Sequence, residues 1–481
     1  MKLFIIIICL LASINEIFMV SSYPKLLVVS YDAFRHDYFQ RNFTPFMKHL
    51  KKEGTDVDYM INAFVTKTLP NHHTIATGFY VETHGVLENM ILTADNKIIK
   101  LTSELFQYNK NILPIWTINE MANKKRHSGS MMWPGGEFEY NGINATFADP
   151  LNISMSWQAR ADRVLSWFLH PNEPINFAIL YIEEPDFHAH GLGTQHPRVN
   201  DILMKLDNFT KYIHDRLMEK NLTDVNVIHL SDHGMVDVKI SHIINITNYI
   251  NESECKIVAT ANSIFVNPHP GKEEMVYKKL HDAAIKTSAF SVYRKNEIPE
   301  RYHYSKTERM SLIFVIAKSE YAFQYLRNSF PYYEKTFNIT INNQSLFGIH
   351  GYDNEDPNMH PMFFARGPAF KSNCKLEPFH NVDLYPLFCN ILDLECAETN
   401  GTLNAFKKCL KSFPNNDVPY SEPMLIAVLV AMGIVGTISI LTTLYLRRKR
   451  QREEILYRRI LDDARMEQLW DEHQDVEHMW H

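Results

Sequence analysis

The sequence predicts an α/β domain with a mainly parallel central sheet, followed by one C-terminal membrane helix. Three observations predict this. Residues 25–30 (KLLVVS), 175–182 (INFAILYI), 225–230 (VNVIHL) and 312–317 (LIFVIA) are short and nearly continuous in apolarity, as strands buried on both faces are. Stretches with helical spacing, such as 161–169 and 199–217, lie between them, and strand, long crossover, strand is the pattern of a parallel sheet. Finally, residues 424–446 form a run without a single charge, long enough to cross a bilayer. The remaining composition is that of a globular chain: 481 residues, 45% hydrophobic, 22% charged, net charge −6. That excludes a disordered, collagen-like or multi-span protein, and mild acidity offers no footprint for a nucleic-acid polymer.

At the N-terminus, Met1-Lys2 precede the apolar run LFIIIICLLASI, and Ser21-Ser22 follow. A basic start, a run too short to span and a small-residue exit describe a secretory signal over 1–22. Next, the first strand ends in Ser30-Tyr31-Asp32, the second in Glu183-Glu184-Pro185-Asp186 with His190 beyond, and the third in Ser231-Asp232-His233-Gly234. Ligands of open α/β sheets bind outside the carboxyl ends of strands. Three carboxylates converging there repel one another unless a cation compensates, and Asp with His suits zinc or a similar divalent metal. His350, in Gly348-Ile349-His350-Gly351, is a further loop histidine.

Residues 66–89 read TKTLPNHHTIATGFYVETHGVLEN. Thr68 stands before Leu69-Pro70-Asn71, where the proline is expected to break regular structure and leave a turn. Alone, Thr68 reads as a helix N-cap; beside a bound cation its hydroxyl becomes a nucleophile.

The late cysteines Cys374, Cys389, Cys396 and Cys409 follow Cys255. Five in an exported chain leave at least one over. The late cluster suggests a Cys396–Cys409 bridge, with the connectivity otherwise open. Residues 400–423 read as a polar stalk, 424–446 as the span, and 447–481 as a cytoplasmic tail. The tail opens with Arg447-Arg448-Lys449-Arg450-Gln451-Arg452, a basic stop that marks the inner face and meets anionic lipid heads. Ten sequons, at Asn42, Asn144, Asn152, Asn208, Asn221, Asn245, Asn251, Asn338, Asn343 and Asn400, all precede the span. Their distribution agrees with a type I plasma-membrane protein whose bulk is glycosylated and outside the cell.

TKTLPNHHTIATGFYVETHG, the Trp133-Pro134-Gly135 triplet, YIEEPDFHAHG, LSDHGM and HGYDN, in that order, resemble the ectonucleotide pyrophosphatase/phosphodiesterase family of the alkaline phosphatase superfamily. The chain looks most like its short, membrane-anchored types four and five. The resemblance implies an alkaline-phosphatase-like α/β/α sandwich with the catalytic domain at 23–399. It also implies two zinc ions, one held by Asp32, Thr68, Asp232 and His233 and the other by Asp186, His190 and His350. Thr68 would be the nucleophile, passing through a threonyl intermediate, and Asn89 would contact a phosphate oxygen. Family members usually carry Phe or Tyr after the threonine to stack on a nucleobase, whereas this chain has Leu69. An apolar contact survives there with roughly 1 kcal/mol of stacking lost. Tyr181 matches a pocket-lining tyrosine that either supplies the stack or packs in the core; His73 takes no role.

The function so implied is hydrolysis of extracellular nucleotides (NAD, ADP or ATP, dinucleoside polyphosphates) to nucleoside 5′-monophosphates. The alternatives are a phosphodiesterase for choline phospholipids or glycerophosphocholine, and a non-catalytic surface glycoprotein. A sulfatase is disfavoured, because that branch needs Cys or Ser in a C/S-x-P-x-R setting. The outer part holds 40 basic and 45 acidic residues, so attraction of phosphates falls to the metals rather than to the surface at large.

Overall fold

The computed structural model describes residues 21–411, 433 and 435–459. An eight-stranded sheet runs in the order Cys374–Lys375, Thr55–Asp56, Phe363–Arg366, Val225–Leu230, Lys25–Tyr31, Phe177–Ile182, Ser128–Met131, Phe147–Asp149. Lys25–Tyr31 lies at its centre and pairs in parallel with both neighbours. The last four pairings toward Phe147–Asp149 stay parallel, while Phe363–Arg366 runs antiparallel.

The central strands are buried at every position, and mostly apolar, because both faces are covered. Leu26, Val28, Phe177, Ile179, Ile228 and Leu230 enter one core. Leu27, Val29, Ala178, Leu180, Val225 and Val227 enter the other. Helices Trp157–Phe168 and Pro197–Glu219 bury the latter face; helices Thr68–Thr77, Ile115–Ala122 and Leu384–Leu392 bury the former. The result is an α/β/α sandwich.

The fourth apolar run departs from expectation. Ile313–Ala317 is fully buried, yet it belongs to a separate four-stranded antiparallel sheet with Cys255–Ala259, Ser263–Pro268 and Phe290–Arg294. That sheet has its own core with helix Glu273–Thr287. Continuous apolarity reports burial on two faces and says nothing of strand direction.

The stalk boundary at 400 also moves. Phe406 and Cys409 are buried in the main core, Thr402 donates its N–H to Asp383, and Leu410 bridges to Phe370, so the domain continues to about residue 411. The Cys396–Cys409 bridge is replaced by Cys374–Cys409 and Cys389–Cys396. Proximity in sequence misled here: Lys371 and Cys374 donate backbone N–H groups to Cys409 and Gly54, which brings residue 374 and not 396 beside 409. Cys255 is the one left over, free and buried.

The signal at 1–22 lies almost wholly outside the described residues, as do 424–432 and 434 of the proposed span. Residues 435–459 are helical. No helix among the described residues is long and apolar enough to cross a membrane.

Non-reducing peptide mapping of the purified chain should recover Cys374–Cys409 and Cys389–Cys396. Burial pushes the Cys255 thiol up to about 11, so it should resist thiol reagents until the chain unfolds. Replacing Cys374 and Cys409 by Ser should cost about 2–4 kcal/mol in denaturant unfolding.

Candidate active site

The register of the central strands explains why distant carboxylates meet. Ser30 is opposite Tyr181 on one side and Leu230 on the other. The residues just past these positions therefore emerge on one rim: Asp32, the Glu183–Asp186 segment, and Asp232-His233. His350 arrives from strand Leu346–Ile349, which pairs with Val236–Lys239 directly after the Asp232-His233 turn.

All seven expected ligands converge. Ligand atoms of Asp32, Asp232 and His233 lie within 4.8 Å of one another, and so do those of Asp186, His233 and His350. His190 Nε2 is 3.3 Å from Asp186, four residues before it on helix Asp186–Leu192. His233 stands between the two groups: its Nε2 is 3.3 Å from Asp32 and 3.1 Å from Asp232, and its ring stacks on His350 at 3.7 Å.

The histidines are prepared as ligands. Each Nδ1–H donates to a backbone carbonyl: His190 to Gly348 at 2.7 Å, His233 to Gly234 at 2.9 Å, His350 to Thr66 at 2.9 Å. That fixes the tautomer and leaves Nε2 with a free lone pair. Burial holds His190 down to about 4 and keeps His233 and His350 well below the ordinary histidine value, so all three are neutral at physiological pH.

The carboxylates are in the opposite condition. Asp32 accepts from Tyr181, and Asp232 Oδ1 accepts from the Ala33 N–H at 3.2 Å. Asp32 Oδ1, Asp186 Oδ1 and Asp232 Oδ2 are buried and have no hydrogen-bond partner. Burial, then the neighbouring carboxylate, raises all three well above the usual range. Such a set is costly as anions and is satisfied by divalent cations. The donors, carboxylate oxygens and imidazole nitrogens, are those zinc accepts. The other strand-end acids are occupied: Glu183 pairs with the buried Arg160, and Glu184 pairs with His188.

Thr68 is the first residue of helix Thr68–Thr77, with Lys67 as its cap residue. The expected turn at Leu69-Pro70-Asn71 is thus the helix's first turn, where proline's missing N–H costs nothing. Thr68 Oγ1 sits 3.2 Å from His233 Nε2, and the positive end of the helix faces the place an anion would occupy. His72, one turn on, was not singled out by sequence. Its Nδ1–H donates to the Thr68 carbonyl (2.8 Å) and its Nε2 accepts from the Ser30 hydroxyl (2.9 Å), locking the Thr68 turn to the central strand. The i, i+4 spacing from Thr68 was the available signal.

Asn89 lies on an exposed loop, and its side-chain amide makes no hydrogen bond among the described residues. Leu69 is 8% exposed within the main core. Tyr181 is equally buried, edge-on to His72 at 5.2 Å, with its hydroxyl spent on Asp32. Of its two readings the structure favours the core one: Tyr181 supports a ligand and is not an open platform for a base.

A metal-dependent hydrolase site, built on an alkaline-phosphatase-like α/β sheet, is what these residues define. The sequence profile of the type I phosphodiesterase/nucleotide pyrophosphatase family matches residues 26–353, and the chain belongs to that family. Among relatives, it is 34% identical to the bis(5′-adenosyl)-triphosphatase enpp4 of Xenopus laevis, covering 88% of each chain. It is 32% identical to ectonucleotide pyrophosphatase/phosphodiesterase family member 5 of Homo sapiens, covering 84% of this chain and 81% of that one. The structure of murine member 5, as an inactive threonine-to-alanine variant in complex with AMP, superposes with a TM-score of 0.72 at 32% identity, covering 80% of this chain and all of that one.

In metal-free protein, Asp186→Asn should raise the melting temperature, because it removes a buried carboxylate that the neutral His190 and His350 beside it do not compensate. An acid whose folded-state pKa is raised costs nothing at low pH, and stability is lost as pH rises from about 4 through the folded value. The gain from Asp186→Asn should therefore be larger at pH 8 than at pH 4. Added zinc should stabilise the variant less than the wild type, as read by thermal melts with and without chelator.

Proposed function

We propose that the chain is a cell-surface zinc phosphodiesterase that hydrolyses extracellular nucleotides to nucleoside 5′-monophosphates. The observation that carries this reading is Thr68 Oγ1 at the head of a helix, against His233 and two groups of unpartnered carboxylates. Names of relatives support the substrate class: a bis(5′-adenosyl)-triphosphatase points to dinucleoside polyphosphates, and an AMP complex to a 5′-monophosphate product.

When bound, two zinc ions, one at Asp32, Thr68, Asp232 and His233 and one at Asp186, His190 and His350, supply Lewis-acid charge to the nucleophile and the phosphoryl oxygens. The Thr68 hydroxyl passes its proton to solvent water and Oγ1 attacks phosphorus, forming a threonyl ester as the bond to the leaving oxygen breaks and that oxygen departs with the bonding electrons. The helix N-terminus and the Asn89 amide bear on the non-bridging oxygens, where charge is carried in the transition state. Water then attacks the same phosphorus from the opposite side, the bond to Oγ1 breaks, and the 5′-monophosphate leaves with Thr68 restored.

We place the domain outside the cell, on one span at 424–446 with its leader at 1–22 and tail at 447–481. All ten sequon asparagines are exposed, which is what glycans require of a folded domain. The helical residues Ile438, Ile440, Leu441 and Leu444 are exposed apolar groups that suit lipid.

Thr68→Ala should reduce turnover of p-nitrophenyl thymidine 5′-monophosphate by about 10³-fold or more; unchanged turnover would remove Thr68 from the chemistry. Mass spectrometry of products from diadenosine triphosphate, NAD, ATP and lysophosphatidylcholine should show AMP. Phosphocholine as the main product would favour a choline-lipid phosphodiesterase instead. Removal of N-glycans from cell-expressed protein should increase its gel mobility, and no change would argue against the outside placement.

A further inference from the structure

The proposed nucleophile and the proposed phosphate-contacting amide are each preceded by a buried ionisable residue, and the two pair. Lys67, directly before Thr68, is 7% exposed, and Glu88, directly before Asn89, is fully buried. Their charged atoms are 3.7 Å apart. Neither was assigned a role by the sequence, and the reaction described above does not use them.

Glu88 joins three segments. Its Oε1 accepts the backbone N–H of Asn89 at 3.0 Å and faces Lys67, while its Oε2 accepts the Ser263 hydroxyl at 2.9 Å. Ser263 opens a strand of the separate antiparallel sheet. Its neighbour Asn262 donates to the Gly351 carbonyl at 2.7 Å, beside His350. The Lys67 stem crosses the same glycine: a Cβ at Gly351 would lie 2.4 Å from Lys67 Cε. The pair is thus wedged between the nucleophile's helix, the Asn89 loop and the His350 loop.

We infer that Glu88 is a positioning residue: through its ion pair with Lys67 and its bond to the Asn89 backbone it holds the Asn89 amide in register with Thr68. A buried pair tolerates loss of one partner poorly, because the other is left charged and unpaired, so both loops are kept at one separation. Asn89 has an exposed side chain with no protein partner among the described residues; its backbone alone is fixed, by Glu88. The Ser263 bond makes the second sheet part of this arrangement.

The inference rests on the nucleotide-hydrolase reading of the same site. It is tested on the full-length chain with p-nitrophenyl thymidine 5′-monophosphate, comparing Asn89→Ala, Glu88→Ala, Glu88→Gln and the Glu88→Ala/Asn89→Ala double variant. Each Ala variant should lower kcat by about tenfold or more with KM within about twofold, the pattern of a lost transition-state contact. The double variant should be no worse than the weaker single within about twofold, because Glu88 acts through Asn89. Glu88→Gln keeps the shape and should fall between wild type and Ala while retaining full zinc content by mass spectrometry. Multiplied losses in the double variant, wild-type kcat in both Glu88 variants, or a fall in kcat matched by lost zinc would each overturn the inference. A wild-type chain without turnover would instead remove the reading on which it stands, and this inference with it.

Discussion

Three buried carboxylates that cannot all be ionised without a counter-charge are the constraint around which this domain is arranged. Asp32, Asp186 and Asp232 each retain an oxygen with no protein partner, in surroundings where an unpaired anion is expensive. The protein could have neutralised them with lysine or arginine. It does so for the neighbours, placing Arg160 on Glu183, and withholds it from these three. Neutral histidines stand there instead, adding lone pairs and no charge. The donor set is one that divalent cations would complete.

That arrangement needs rigid walls. The carboxylates follow strands whose parallel register is set by burial on both faces, since a one-residue slip would send apolar side chains to the wrong core. The histidines are held by backbone carbonyls through Nδ1, so imidazole orientation is inherited from the loops. Thr68 is tied down by the first turn of its helix and by His72. Every reactive atom is carried by an element whose own position is decided by core packing.

Substrate capture is less built into the protein than the chemistry is. The outer part is mildly acidic, Leu69 is mostly buried, and Tyr181 is engaged with Asp32. The residues expected to grip a base therefore offer little open surface.

The sequence by itself determined the class of fold and picked out the acids and histidines that the fold gathers into one candidate metal site. Continuous apolar strands, with acids and histidines at their ends, are local patterns, and local patterns survive without coordinates. It also announced Thr68, because the surrounding motif is contiguous. What only the tertiary structure decided were relations between distant segments. Residues 313–317 are as apolar as the central strands, and only pairing revealed a second, antiparallel sheet. Cys409 lies nearer in sequence to Cys396 than to Cys374, yet backbone hydrogen bonds bring residue 374 to it. The segment 400–411 looked like a polar stalk because its buried members, Phe406 and Cys409, are few and spaced. Lys67 and Glu88 carry no sequence mark of their pairing, and Tyr181 none of its bond to Asp32, since each meets a partner on a distant segment. Chemistry written in residue types is legible one segment at a time; positioning is a property of distances, and those exist only once the chain has folded.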